Sequence, residues 1–153
     1  MNNINIVNRE LTSEEIELVN SGFDNLSLEE GIALESTERI SFVALIGSTL
    51  IGCSSGLAHK NGEKYSGWFY LTDLFVEKKF RDQGLGSVLL TELEDKISTI
   101  GVQNIWLWTS GPPTLRFYDR HGYTQFTEME NWYSDGSSRV GLRKKIRENN
   151  LGE

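Results

Sequence analysis

Arg81-Asp82-Gln83-Gly84-Leu85-Gly86-Ser87 follows an apolar, β-rich run at 68–76 and opens a helix-like run at 85–100. A strand, a short glycine-bearing loop and a helix start leave little freedom of fold. The glycines permit positive φ and close approach of the backbone to a ligand. The first N–H groups of a helix lack intrahelical partners, and the helix dipole favours negative charge there. Residues 82–87 are therefore expected to hold a phosphate-bearing ligand.

Spacing limits which ligand. A dinucleotide fingerprint needs a third glycine, and that position is Leu89. A P-loop ends in Gly-Lys-Ser/Thr, and here Gly86 is followed directly by Ser87. What remains is Arg-x-x-Gly-x-Gly after Leu74-Phe75-Val76. It resembles motif A of the GNAT superfamily of N-acetyltransferases. Phe117-Tyr118-Asp119-Arg120-His121-Gly122-Tyr123 is similar to that family's second segment, which ends one helix and begins the next strand. The two segments and the strand between them cover about residues 68–146.

Periodicity fills in the rest. Runs at 4–7, 40–46, 49–59, 65–76, 102–109, 123–132 and 139–146 read as strands. Gly47-Ser48 and Asn61-Gly62 are expected hairpin turns, and Asp135-Gly136 another. Thr12 or Ser13 is a candidate N-cap for a first helix through Ile16 and Val19. A second helix around Leu26 and Ile32 is set off by Gly22 and Gly31. Leu89, Leu93, Ile97 and Ile100 share a helix face, with Gly101 as its stop. Pro112 or Pro113 can start the next helix. This order is that of the resembled fold, an α+β domain. It implies a central, mostly antiparallel seven-stranded sheet flanked by about four helices, with the fourth and fifth strands splayed. One domain is expected over 1–147, with a polar tail at 148–153.

The resemblance also implies a donor, acetyl-CoA, and assigns roles. The backbone of Leu74, Phe75 and Val76 would receive the pantetheine arm like an added strand. A backbone N–H at Phe75 or Val76 would polarise the thioester carbonyl. The N–H groups of Asp82, Gln83, Gly84, Leu85, Gly86 and Ser87 would hold the pyrophosphate. Ser87 could add its hydroxyl, and Arg81 could contact the ligand or brace the loop. Tyr118 falls on the family's general acid for the coenzyme thiolate. A phenol with a pKa near ~10 stays protonated until the thiolate forms.

Two departures stand out. An asparagine common in the family seven residues before the tyrosine is Gly111 here, leaving its contact to Thr109 or Ser110 or to nothing. The glutamates that act as base in some branches are absent: Thr72 stands at one such position and Tyr70 at another. Asp73 remains, to bind the acceptor ammonium, act as base through water, or pair structurally.

Charge bears on the acceptor. The chain of 153 residues carries a net charge of −7. Residues 1–40 hold nine acids against two bases, so the excess lies there. An acidic surface disfavours nucleic acid and suits a cationic partner. In the resembled fold this segment lies beside the acceptor entrance. A small cationic amine, such as a polyamine or aminoglycoside, is the expected acceptor, attacked directly in a ternary complex. The alternatives are a peptide or protein amine, or a non-catalytic acyl-CoA-binding module. A homodimer is allowed, being common in the family.

The remaining reactive residues read as ordinary. Cys53 alone cannot form an internal disulfide, and no signal peptide or membrane span is seen, so a cytoplasmic location is expected. Two isolated histidines, His59 and His121, argue against a metal. Trp106 and Trp108 share a strand face, and Trp132 and Tyr133 precede the last turn. Core and hairpin packing is their default use, with the acceptor pocket as the other.

Overall fold

The computed structural model describes residues 3–146, which fall into two compact units divided between Glu35 and Ser36. The first unit holds one helix, α1 (Ser13–Glu29). Thr12 caps it reciprocally: Glu15 N–H donates to Thr12 Oγ1 at 3.2 Å, and Thr12 N–H donates to Glu15 Oε1 at 2.8 Å. Arg9 grips the same carboxylate at 2.8 and 2.9 Å and holds its pKa down to about 2.

Two expectations fail in this unit. Residues 4–7 form no strand, because a strand exists only through its ladder and none forms there. The two expected helices are one. Gly22 has nothing within 4 Å of an added Cβ and sits inside α1, at a cost of about 1 kcal/mol against alanine. The break comes later, at Gly31, with φ +76°.

The second unit is a six-stranded mixed sheet. Its strands are β1 (Ser36–Ile46), β2 (Thr49–Asn61), β3 (Lys64–Val76), β4 (Asn104–Thr109), β5 (Thr124–Met129) and β6 (Arg139–Lys145). Their spatial order is β1-β2-β3-β4-β6-β5, with only β3 and β4 parallel. The helices α2 (Leu85–Thr99) and α3 (Pro112–Arg120) interrupt the strands. The mixed, mostly antiparallel architecture is the expected one, with six strands rather than seven and three helices rather than about four among the described residues. The β2–β3 turn is Gly62-Glu63, one residue later than read, because Asn61 pairs with Lys64. The β5–β6 connection is longer than read, since β5 ends at Met129.

The core lies under α2. Leu89, Leu90, Leu93 and Ile97 are buried, with Ala58, Phe69, Leu71, Ile105, Leu107 and Leu142 of the sheet also inside. Gly101, at φ +89°, ends α2, and Val102 N–H returns to Ile97 O at 3.0 Å. Ser54, fully buried on β2, donates its hydroxyl to the Leu89 carbonyl at 2.8 Å. That bond satisfies a polar group that would otherwise be costly to bury. Gly56 is required: a Cβ there would meet the Tyr70 carbonyl at 2.2 Å. Among the described residues no helix is long and apolar enough to cross a membrane.

Candidate active site

The site begins where β3 and β4 part. They pair at Trp68–Asn104, Phe69–Ile105 and Tyr70–Trp106 and no further along β3. The cause is local to β3. Against β2, Ser55 opposes Asp73 and Gly56 opposes Leu71, so Thr72 is an extra residue. Such a bulge bends its strand and increases twist. The β4-facing edge of Leu74, Phe75 and Val76 is thereby left without a strand partner, while their other edge stays paired with β2. An open strand edge accepts an extended ligand by main-chain hydrogen bonds.

A cavity of about 430 Å³ occupies this gap. Leu74, Phe75 and Val76 line one side, Pro113, Thr114, Phe117 and Tyr118 of α3 another, with Arg81 and Gly86 at its end. A second cavity of about 240 Å³ continues past the shared residues Val76, Arg81, Gly86 and Phe117. Asp82, Gly84, Leu85, Ser87 and Arg120 also line it. The two make one groove, from Tyr118 to the N-terminus of α2.

The loop geometry explains the glycines. After a 3₁₀ turn at Lys78–Phe80, the chain takes φ +61° at Asp82 and +82° at Gly84, then enters α2. The first α2 bond at this end runs from Val88 N–H to Gly84 O at 3.1 Å. The N–H groups of Leu85, Gly86 and Ser87 thus lie ahead of the ladder, and these three residues line the smaller cavity. Gly86 packs under Phe117, whose ring lies 3.7 Å from an added Cβ. Arg81 braces the loop, donating Nε–H to the Val76 carbonyl at 2.9 Å, and also lines both cavities.

Tyr118 is 5% exposed and borders the larger cavity. Phe117 and Tyr123 meet its ring edge-on, each at 5.2 Å. Burial pushes its phenol well above the ordinary value, so the hydroxyl keeps its proton at neutral pH. That is the state an acid must be in before the leaving group forms.

Two expected site residues lie apart from the groove lining. Gln83 turns its side chain back to the Lys79 carbonyl at 3.2 Å. Asp73 is exposed and accepts the Thr72 hydroxyl at 2.7 Å, with Arg39 at 3.8 Å. Arg39 also donates to Ser55 and Thr72, each at 2.9 Å. Gly111 has φ +88°, which suits glycine and not the asparagine of the resembled pattern. Thr114, rather than Thr109 or Ser110, reaches the cavity.

The structure adds residues the sequence reading passed over. Arg120 brings a second cation to the anion end, and His121 Nε2 lies 2.9 Å from Ser87 Oγ. Both stand inside the Phe117–Tyr123 segment, so their nearness to the loop was available as a hint. Elsewhere, Trp106 stacks on Tyr70 at 4.3 Å, and Arg139 lies 5.0 Å over Trp108 and 5.1 Å over Trp132. Trp132 is thus engaged within its own hairpin. Cys53 is a free, half-buried thiol on β2. Among the described residues no group of His, Cys, Asp or Glu side chains could hold a metal ion.

The sequence model of the acetyltransferase (GNAT) family matches residues 6–123, which include the whole groove lining. The chain belongs to the GNAT family. An acetyltransferase of Agrobacterium fabrum is 32% identical over 85 residues, 56% of this chain and 61% of that protein. The chain spans about three fifths of the length of the curated relatives it matches. An acetyltransferase of Bacillus cereus has the same fold, with a TM-score of 0.72 at 22% identity over 92% of this chain and 98% of that one. An aminoglycoside 6′-N-acetyltransferase solved with coenzyme A gives a TM-score of 0.61 at 18% identity, over 93% and 98% of the two chains.

Proposed function

We propose that this GNAT protein moves the acetyl group of acetyl-CoA to a primary amine by direct attack within a ternary complex. The observation that carries the reading is the continuous groove. It joins an open strand edge, the free N–H groups of a helix start and a buried, protonated tyrosine. Those are the three things an acyl pantetheine diphosphate requires. The pyrophosphate sits on the N–H groups of residues 82–87, with Arg81 and Arg120 adding charge. The pantetheine arm extends along Leu74, Phe75 and Val76.

The amine nitrogen attacks the thioester carbonyl carbon. A backbone N–H at Phe75 or Val76 receives the developing oxyanion. The C–S bond then breaks, and Tyr118 gives its proton to the sulfur. The attacking nitrogen loses a proton to water, with Asp73, next in the chain to the groove-lining Leu74, as the carboxylate that holds the acceptor ammonium or takes that proton through water. Residues 1–147 act as one catalytic domain, in a reducing cytoplasm, with a homodimer as the form allowed by the family.

We assign the acceptor as a small cationic amine, because the acidic excess of the first forty residues attracts cations. Release of coenzyme A thiol from acetyl-CoA, measured across a panel of amines, tests this. Polyamines or aminoglycosides are expected to drive release at low salt, weakening as salt screens the attraction. Release with neutral or acidic amino acids and none with polycations contradicts the acceptor assignment. Binding of acetyl-CoA without any acceptor-dependent release identifies a coenzyme-binding module instead.

A further inference from the structure

The Ser87–His121 contact lies outside the roles given above. Ser87 is the third residue of α2, at the groove's anion end, and His121 caps the C-terminus of α3. The two elements are joined there by Ser87 Oγ and His121 Nε2 at 2.9 Å, with Phe117 against the imidazole at 4.7 Å. The direction of that hydrogen bond decides what Ser87 can offer a ligand. If Nε2 accepts, the hydroxyl proton is spent on the ring and the serine oxygen turns lone pairs toward the pyrophosphate. If Nε2 donates, the hydroxyl proton is free to bind a phosphate oxygen.

We propose that His121 is a positioning residue for the coenzyme: donating from Nε2 it leaves the Ser87 hydroxyl free for the pyrophosphate, and because the imidazolium alone must donate from both ring nitrogens, coenzyme binding favours the protonated ring. The inference rests on the assignment of the groove to coenzyme A. The charged groups facing the imidazole are Lys144 on β6 and Arg120 on α3, while Glu94 on α2 grips Lys144 Nζ at 2.8 and 3.0 Å. Burial, then Lys144, then Arg120 hold the imidazole below its ordinary value in the free protein. A bound diphosphate offsets both cations and rewards the proton. The sign follows: affinity rises as pH falls through the His121 range.

Dephospho-coenzyme A is the probe, because its diphosphate has no group titrating in this window, unlike a 3′-phosphate with a pKa near ~6. Calorimetric Kd values at pH 8 and pH 5.5 are expected to differ about fivefold in favour of acid. The His121 imidazole, followed by NMR, is then expected to rise in pKa by at least about 0.7 on saturation, the same linkage read from the other side. His121→Gln and Ser87→Ala are expected to flatten the pH dependence, while His59→Gln keeps it. A slope that survives His121→Gln, or an imidazole whose titration ignores the ligand, overturns this inference and leaves the coenzyme site standing. No binding by the wild-type protein at either pH overturns both. The NMR titration uses the wild-type chain and decides the matter even if a variant does not fold.

Discussion

Tyr118→Phe is expected to slow acetyl transfer at saturating acetyl-CoA and amine by about 10²- to 10³-fold, the range set by loss of a positioned acid. The Kd for acetyl-CoA should stay within about twofold, because the ring contacts with Phe117 and Tyr123 survive the change. The hydroxyl is what is removed. Its proton is held by burial, and it stands in the groove wall, beside the position proposed for the thiolate. Leaving-group dependence gives a second readout. A coenzyme analogue whose thiol is more acidic needs the proton less and should narrow the gap between wild type and variant. Steady-state rates measured by thiol release, with calorimetric Kd values beside them, check both parts. Unchanged turnover removes Tyr118 from the acid role.

Gly86→Asp is expected to weaken acetyl-CoA binding by at least about 10²-fold while leaving the fold as stable as before or slightly more so. The opposite signs have separate causes. Gly86 has ordinary φ, and an added Cβ meets Phe117 and Val76 at 3.7 Å, ordinary contact distances. A carboxylate in the first turn of α2 also gains from the helix dipole, typically about 0.3–1 kcal/mol. The same carboxylate occupies the anion end of the groove and repels the pyrophosphate where Arg81, Arg120 and the free N–H groups would attract it. Thermal melting without ligand, set against calorimetry with acetyl-CoA, separates the effects. Equal loss of stability and affinity would point to misfolding. Unchanged affinity would place the pyrophosphate elsewhere.

Local backbone structure around the motif was the most legible part of the sequence. Gly84 and Gly86, the apolar run before them and the Leu89–Leu93–Ile97 stripe each report a local requirement, and local requirements are written in neighbouring residues. The splay of β3 and β4 was read only by resemblance, and its cause, the Thr72 bulge, left no pattern of its own. A bulge is a count of residues against a partner strand, so it cannot be seen from one strand. The expected strand at 4–7 failed for a related reason: a four-residue run with three β-prone residues carries no information about whether a ladder awaits it. Gly22 misled because glycine in an exposed helix costs little enough to be tolerated. Asp73 was named from its place in the motif, and its side chain pairs with Thr72 and Arg39; Gln83 was named for its backbone N–H, and its side chain turns to the Lys79 carbonyl. Position in a motif fixes the backbone more firmly than it fixes where a side chain points. Arg120 and His121 show the converse, being brought to the loop by the docking of α3 on α2.

A crystal structure of the chain with coenzyme A tests the central claim most directly. The account predicts pyrophosphate oxygens within hydrogen-bond distance of N–H groups in residues 82–87 and the pantetheine arm paired with the open edge of Leu74, Phe75 and Val76. It also predicts the coenzyme sulfur beside the Tyr118 hydroxyl. A coenzyme bound on another face of the sheet, or a thiol remote from Tyr118, would contradict it.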